Sequence, residues 1–216
     1  NILYYQCSSH GYMGNHVVNI GNTVNINSVT GQIIPGKIEG TNFSDSLLIG
    51  HSTTGSLSSA EDNTGVGIGA LDALTSGDQN TAVGNVAGTA ITSSGKNTGV
   101  GAFALNAVST STGFNTAFGR SALQLTTGSY NTAIGAGAGE NITSGDGNVI
   151  IGKVSADSAT GDRQLKIAGY DGATTTTWIS GDSSGNVTVT GTVTANGETL
   201  SAGVSAGFAV AMAIAL

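Results

Sequence analysis

Charge is scarce in this chain of 216 residues: six Lys and Arg and thirteen Asp and Glu make up 9% of it, for a net charge of −7. Globular domains usually carry about 25% charged residues. Nucleic-acid binding needs clustered cations to displace counterions from phosphate, and no cluster occurs here, so that partner is not expected. The one cysteine, Cys7, allows no disulfide within the chain and reads as a buried thiol. Proline occurs once, at Pro35. There is no leader-like start and no run of eighteen or more apolar residues, so membrane insertion is not expected either. The chain opens on Asn1 instead of methionine, which fits a processed product or part of a longer polypeptide.

What the chain has is glycine, 35 of them, among many Ser, Thr and Asn. Such a composition often marks low complexity. Here, however, one phrase returns six times: NTGVG at Asn63, NTAVG at Asn80, NTGVG at Asn97, NTAFG at Asn115, NTAIG at Asn131 and NVIIG at Asn148. The asparagines are 17, 17, 18, 16 and 17 residues apart, and a decayed seventh copy, LLIG, spans Leu47 to Gly50. A disordered chain has no reason to keep apolar residues in phase. Fixed-period similarity marks a stack of copies of one unit.

Each unit reads as strand and turn. Its fourth residue is bulky: Val66, Val83, Val100, Phe118, Ile134, Ile151. The fifth is always glycine, placed where a Cβ would clash. The third is small in five of six copies: Gly65, Ala82, Gly99, Ala117, Ala133. A second apolar cluster follows, as Leu71 with Leu74, Phe103 with Leu105 and Val108, or Leu123 with Leu125. The expected fold is all-β: an elongated trimeric parallel β-roll or β-solenoid with flanking β-strand shaft segments. Seven coils would rise roughly 34 Å at about 4.8 Å each. The leading asparagines should form an amide ladder. The bulky fourth residues are expected to anchor the core and hold the coils in register. The small face opposite them is expected to press against neighbouring copies of the chain, three around an axis.

The NTA[VI]G phrase, with text such as SALQLTTGSYNTAIG, resembles the repeat region of bacteriophage tail fibres, particularly those of marine and cyanobacterial phages. It is more distantly similar to the head repeats of trimeric autotransporter adhesins. WISGDSSGNVTVTGTVTANGETL at 178 to 200 is also similar to text in tail-fibre shafts. The resemblance covers about half the chain strongly, residues 46 to 163, and implies a trimeric fibre without naming a receptor. It implies a virion location and host attachment. The partners it implies are further copies of the chain, tail or adaptor proteins met by the N-terminal segment, and a host receptor, either glycan or protein. Alternatives are a bacterial adhesin head or a capsid-borne phage fibre. The adhesin class should bring a signal peptide, a coiled-coil stalk and a barrel anchor, which this stretch does not show. An ice-binding solenoid would need regular Thr-x-Thr ranks, which the repeats do not keep.

Four segments follow. Residues 1–45 read as an attachment or junction segment, with Tyr4, Tyr5 and Tyr12 near its start. Within it Val18, Ile20, Val24 and Ile26 fall at period two, a half-buried strand pair over 17 to 29, and GQIIPGKIEG (31 to 40) reads as a connector. Residues 46–163 are the seven-coil region. Residues 164–202 form a strand shaft, with QLKIAG and TTTTWIS joined by a YDGA turn and one wetted face on the later Val/Thr strand. Residues 203–216 alternate large and small apolar side chains and read as a terminal strand that clamps the trimer.

No catalytic, cofactor-binding or metal site is assigned, and no enzyme activity is expected. GDSSG at 181 to 185 fits the nucleophile-elbow pattern, but a Val/Thr strand follows where a helix is required, so it reads as a hairpin turn. The glycines at 65, 67 and 69, or 135, 137 and 139, lack the spacing of a dinucleotide fingerprint. His10 and His16 could ligate an axial metal, although isolated histidines more often lie at surfaces; His51 stands apart. Asp78, Asp146, Asp162, Asp171 and Asp182 are read as turn residues bonding their own backbone, with no calcium-loop spacing.

Overall fold

The computed structural model describes residues 2–3, 17–18, 26–27, 33–34, 36–40, 42–51, 54–109, 113–195 and 198–200. Cys7, His10, His16 and the whole of 203–216 lie outside them, and with them the thiol, axial-metal and clamp readings. Among the described residues the chain is all-β, without a helix, and its centre is a β-solenoid of about seven turns.

Two short antiparallel pairs come first. Strand β1 (Ile2–Leu3) pairs β2 (Val17–Val18), and β3 (Ile26–Asn27) pairs β4 (Ile33–Ile34). The strand pair expected within 17 to 29 is therefore corrected: its two halves pair outward, with Ile2–Leu3 and with Ile33–Ile34. The connector expected over 31 to 40 is corrected as well. It contains β4 and β5 (Gly36–Gly40), and β5 pairs antiparallel with β6 (Phe43–Ile49) at the edge of the main sheet. An edge strand needs hydrogen bonds on one side only, which is where proline and glycine are tolerated.

The solenoid strands stack in parallel: β6, β8 (Thr64–Val66), β9 (Thr81–Val83), β10 (Thr98–Val100), β11 (Thr116–Phe118), β12 (Thr132–Ile134), β13 (Val149–Ile151) and β14 (Leu165–Tyr170), with the short β7 (Ala60–Glu61) beside β6. LLIG is in register as a true coil, with Leu47, Leu48 and Ile49 opposite Thr64, Gly65 and Val66. Parallel pairing runs one strand past Arg163, since Ile151 faces Ile167 of β14. Antiparallel strands β15 (Thr175–Gly181) and β16 (Val187–Val189) extend the sheet, and β17 (Val193–Ala195) forms a hairpin with β18 (Glu198–Leu200). The YDGA and GDSSG turns fall between strands, as expected.

The asparagine ladder is present and fully buried. In each coil the Asn Oδ1 accepts from both the backbone N–H and the Nδ2 of the next: Asn80 on Asn63 (3.0 and 3.1 Å), Asn97 on Asn80 (3.1 and 2.9 Å), Asn115 on Asn97 (3.1 and 3.2 Å). Asn131 and Asn148 continue it. Ser46 starts the column by accepting from the Asn63 N–H, and Gln164 ends it on Asn148. Spare Nδ2 protons go to turn carbonyls, those of Gly77, Ser94, Gly128 and Gly145 among them. Among the described residues no buried side-chain nitrogen or oxygen lacks a partner.

The core reverses the expected facing. The small third residues point inward: Ala82, Ala117 and Ala133 are buried, and a Cβ on Gly99 would lie 3.3 Å from Leu105 Cδ1. The turn half of each coil fills the interior with Leu71 and Leu74, Ala87 and Ile91, Leu105 and Val108, Ala122 and Leu123, or Ala138 and Ile142. Two facing walls this close must share the interior between them, so bulk on one side is met by small residues on the other. Where the third residue is large, as Ile150, the turn that follows contributes a buried Ala156 and a half-buried Val154. The bulky fourth residues therefore point outward, with Phe118 58% and Ile134 45% exposed. Leu125, expected in the core, is exposed as well.

Glycine at position five keeps its expected role. At Gly84 φ is +141°, and a Cβ would sit 2.6 Å from the carbonyl carbon of Gly101, the equivalent glycine one coil on.

Candidate functional site

Strand alternation puts the second and fourth residues of every coil on the outer face of the sheet. The fourth residues form one unbroken column through paired strands: Ile49, Val66, Val83, Val100, Phe118, Ile134, Ile151, Ile167, Ile179 and Val189. Every member is apolar, and each is exposed or half-buried. Beside it runs a column of Thr64, Thr81, Thr98, Thr116 and Thr132, followed by Val149 and Leu165. The sequence marks these fourth residues by their size, but they lie on the outer face and not in the core as expected. Their outward aim is fixed by the buried asparagine three positions earlier, because residues one and three of a strand share a face.

Beyond the solenoid the cover thins further. All three residues of β16 are exposed, and so is Trp178 on β15. The later Val/Thr strand was expected to have one wetted face; within a single chain both faces of β16 meet solvent.

A second column was not foreseen. The residue before each ladder position has positive φ: Asp62, Gln79, Lys96, Phe114, Tyr130, Gly147 and Arg163, between 52° and 67°. Their backbones are linked coil to coil, as in Tyr130 N–H to the Gly113 carbonyl (3.0 Å) and Gly147 N–H to that of Ser129 (2.9 Å). The rings of Phe114 and Tyr130 stack with centroids 4.9 Å apart and 11° between planes, and Lys96 Nζ lies 4.7 Å from the Phe114 centroid. The signal was legible as a constant offset from each asparagine, but the residue types vary so freely that no motif stands out.

The remaining candidates resolve into supporting roles or shallow recesses. Asp182 accepts at Oδ1 from the N–H groups of Ser184 and Asn186 and at Oδ2 from Asn186 Nδ2, so GDSSG folds as a hairpin turn. Asp171 closes the YDGA turn by accepting from Ala173 and Thr174. Both carboxyls are held below the usual range: Asp182 by the Asn186 side chain and then its N–H, Asp171 by the Thr174 and then the Ala173 N–H. Asp78, Asp146 and Asp162 depart from the expected self-bonding. Each accepts from a neighbouring coil, from Glu61 (2.9 Å), Ser129 (2.6 Å) and Asp146 (2.9 Å) respectively. His51 donates from Nε2 to the Ala70 carbonyl (2.7 Å) and sets Nδ1 3.6 Å from Asp72.

Gly65 and Ala133 lie in strands and Gly67 and Gly135 in turns, which leaves neither glycine run opening a helix. Burial pushes the Lys37 amine below its ordinary pKa. Arg120, Lys153 and Lys166, far apart in sequence, line adjoining recesses with Glu140 and Asp157. There Lys166 pairs with Asp157 at 2.7 Å and Lys153 lies over Tyr170. Among the described residues no three His, Cys, Asp or Glu are grouped to hold a metal, and no helix is long and apolar enough to cross a membrane. Set against family models, curated proteins and solved structures, the chain matches none.

Proposed function

We propose that this chain is the repeat-bearing part of a structural and adhesive fibre, a phage tail fibre by the resemblance of its repeats, built from three copies and without catalytic activity. The observation that carries the reading is the outward apolar column of ten residues from Ile49 to Val189. A contiguous apolar strip on a surface marks contact with another protein. A column that keeps one register over the whole sheet fits an equally long and regular partner, which a second and third copy supply. The bare strands β15 and β16 support this, because an antiparallel extension with no second layer gains stability only when something packs on it.

The small third residues no longer motivate the trimer, since they fill each chain's own core. The outward column replaces them in that argument. Attachment to a particle through residues 1–45 and to a host receptor belongs to the same proposal. An adhesin head or a capsid-borne fibre would use the same architecture.

Sedimentation equilibrium of the folded chain tests the assembly. Three copies are expected, and a stable monomer with full β signal overturns it. Electron microscopy of native particles labelled with antibody to this chain tests the location.

One observation favours a second reading. The Thr column beside an aliphatic column gives an ordered face of the kind an ice-binding solenoid presents. Against it, Phe118 projects from the face, and the threonines give way to Val149 and Leu165. Thermal hysteresis in a freezing assay would establish that reading, and its absence would remove it.

A further inference from the structure

We propose that the column before the asparagines holds a binding slot for one neutral sugar ring, between Tyr130 and Arg163. In order along the stack, this column reads cation, ring, ring, glycine, cation: Lys96, Phe114, Tyr130, Gly147, Arg163. One face of the Tyr130 ring is covered by Phe114. The other looks toward Gly147, where the repeat has no side chain, and Tyr130 is 55% exposed. Two coil spacings, roughly 9.6 Å, separate the level of Tyr130 from that of Arg163. That is one coil more than the stacked Phe114 and Tyr130 rings take up, and the proposed sugar would occupy the extra level.

The missing side chain leaves a recess of about 330 Å³, lined by Tyr130, Asp146, Gly147, Asp162 and Arg163. Arg163 forms its floor: its Cγ lies 3.4 Å from where a Cβ on Gly147 would be. The lining selects the ligand. The electron-rich face of an aromatic ring attracts the weakly positive C–H groups on one face of a pyranose. Asp146 and Asp162 each use Oδ1 on a backbone N–H and are otherwise exposed, so they can accept from sugar hydroxyls. The Arg163 guanidinium donates to ring or hydroxyl oxygens. Two carboxylates against one guanidinium disfavour an acidic sugar, so the ring is an uncharged hexose or N-acetylhexosamine. This stacked-sugar site stands on its own geometry, whether or not the fibre reading holds.

The test is saturation-transfer NMR on the full chain with methyl glycosides of galactose, glucose, N-acetylglucosamine and glucuronic acid. N-acetyltyrosinamide serves as a flat, non-sugar probe. At least one neutral glycoside should receive saturation on its ring C–H protons, and the glucuronide should receive less. Tyr130→Asn removes the platform with a residue that tolerates positive φ. Gly147→Phe fills the slot as Phe114 fills its own level, at a φ that six side-chain-bearing residues of this column already adopt. Each variant, with its β signal and melting point retained, should weaken binding roughly tenfold or more. Leu125→Ala, exposed elsewhere on the coil, should not. Three results overturn the proposal: no transfer to any neutral glycoside, transfer unchanged in both slot variants, or binding of the tyrosine probe alone. If one variant fails to fold, the other decides.

Discussion

At the scale of single residues, the buried amide column is where the fold has least tolerance. Asn97 accepts two hydrogen bonds from Asn115 and donates two, to Asn80 and to Ser94 Oγ. Asn97→Ala strands several of these groups at once. At about 1–3 kcal/mol for each polar group left unpaired in the interior, it should cost at least about 3 kcal/mol in chemical denaturation. Asn97→Asp tests the electrostatic side. Its carboxylate would be buried beside the Asn80 oxygen with no proton to give, so its folded pKa should rise above the unfolded value of about 3.9. A raised acid pKa means the protonated form suits the fold. The deficit against the parent should therefore be small below about pH 4 and grow as pH climbs from there toward the folded pKa. Melting curves of both proteins at acid and neutral pH would show it, and a pH-independent deficit would contradict it. Apolar residues sort just as sharply. Leu123→Ala should cost about 2–5 kcal/mol through lost burial and the cavity left behind. For an isolated chain Ile134→Ala should cost far less, within about 0.5 kcal/mol.

At the scale of the element, each coil is a three-residue strand, a glycine and a turn that repeats unusual backbone angles. The turn position two residues after that glycine is left-handed in successive coils: Gly69, Val86, Phe103, Ser121 and Gly137 all have φ between 57° and 73°. A β-branched side chain is the least suited to it, at roughly 1–2 kcal/mol for an L-residue. Val86→Gly should therefore raise stability by up to about 1 kcal/mol, against the usual effect of introducing glycine. A fall in the melting point would mean that Val86 packing outweighs the strain.

Much of the element was legible in advance, since the period, parallel register, position-five glycine and amide ladder all follow from the NTA[VI]G phrase. Its polarity was not. A bulky residue flanked by small ones normally reads as a buried anchor. In so narrow a coil, though, the turn half already supplies the filling. A Cβ on Gly65 would run into Leu48 Cδ2 from the coil before and come within 3.5 Å of Leu71 Cδ1, and one on Gly99 would lie 3.3 Å from Leu105 Cδ1, so the third residue is small where leucines already fill the space. One cue was available: if the asparagine is buried, alternation already assigns its strand's third residue to the inside. The Phe114 and Tyr130 pair could not be read that way. Its meaning depends on two residues 16 positions apart becoming neighbours along the stack.

At the scale of the whole molecule, the same facing bears on the proposed trimer. Stacking satisfies the backbone along the axis, and the core is complete within one chain, so the proposed trimer would have to draw on the outer face. Phe118 and Ile134 sit mid-column, and within one chain they face solvent. Phe118→Lys with Ile134→Lys should leave the single coil intact, because exposed side chains are usually replaced within about 0.5 kcal/mol each. In a trimer meeting through this column the same pair would bring six ammonium groups into an apolar contact, and burying unpaired charge is strongly unfavourable. If three copies meet through this column as proposed, the expected result is a folded monomer by sedimentation with the β signal kept. A matching pair of lysines at Ile68 and Leu125, both exposed but off the column, controls for added charge and should leave three copies together. If the column variant still sediments as a trimer, the face does not carry assembly. The contact would then have to lie in the strands beyond Arg163 or in the segments at either end of the chain.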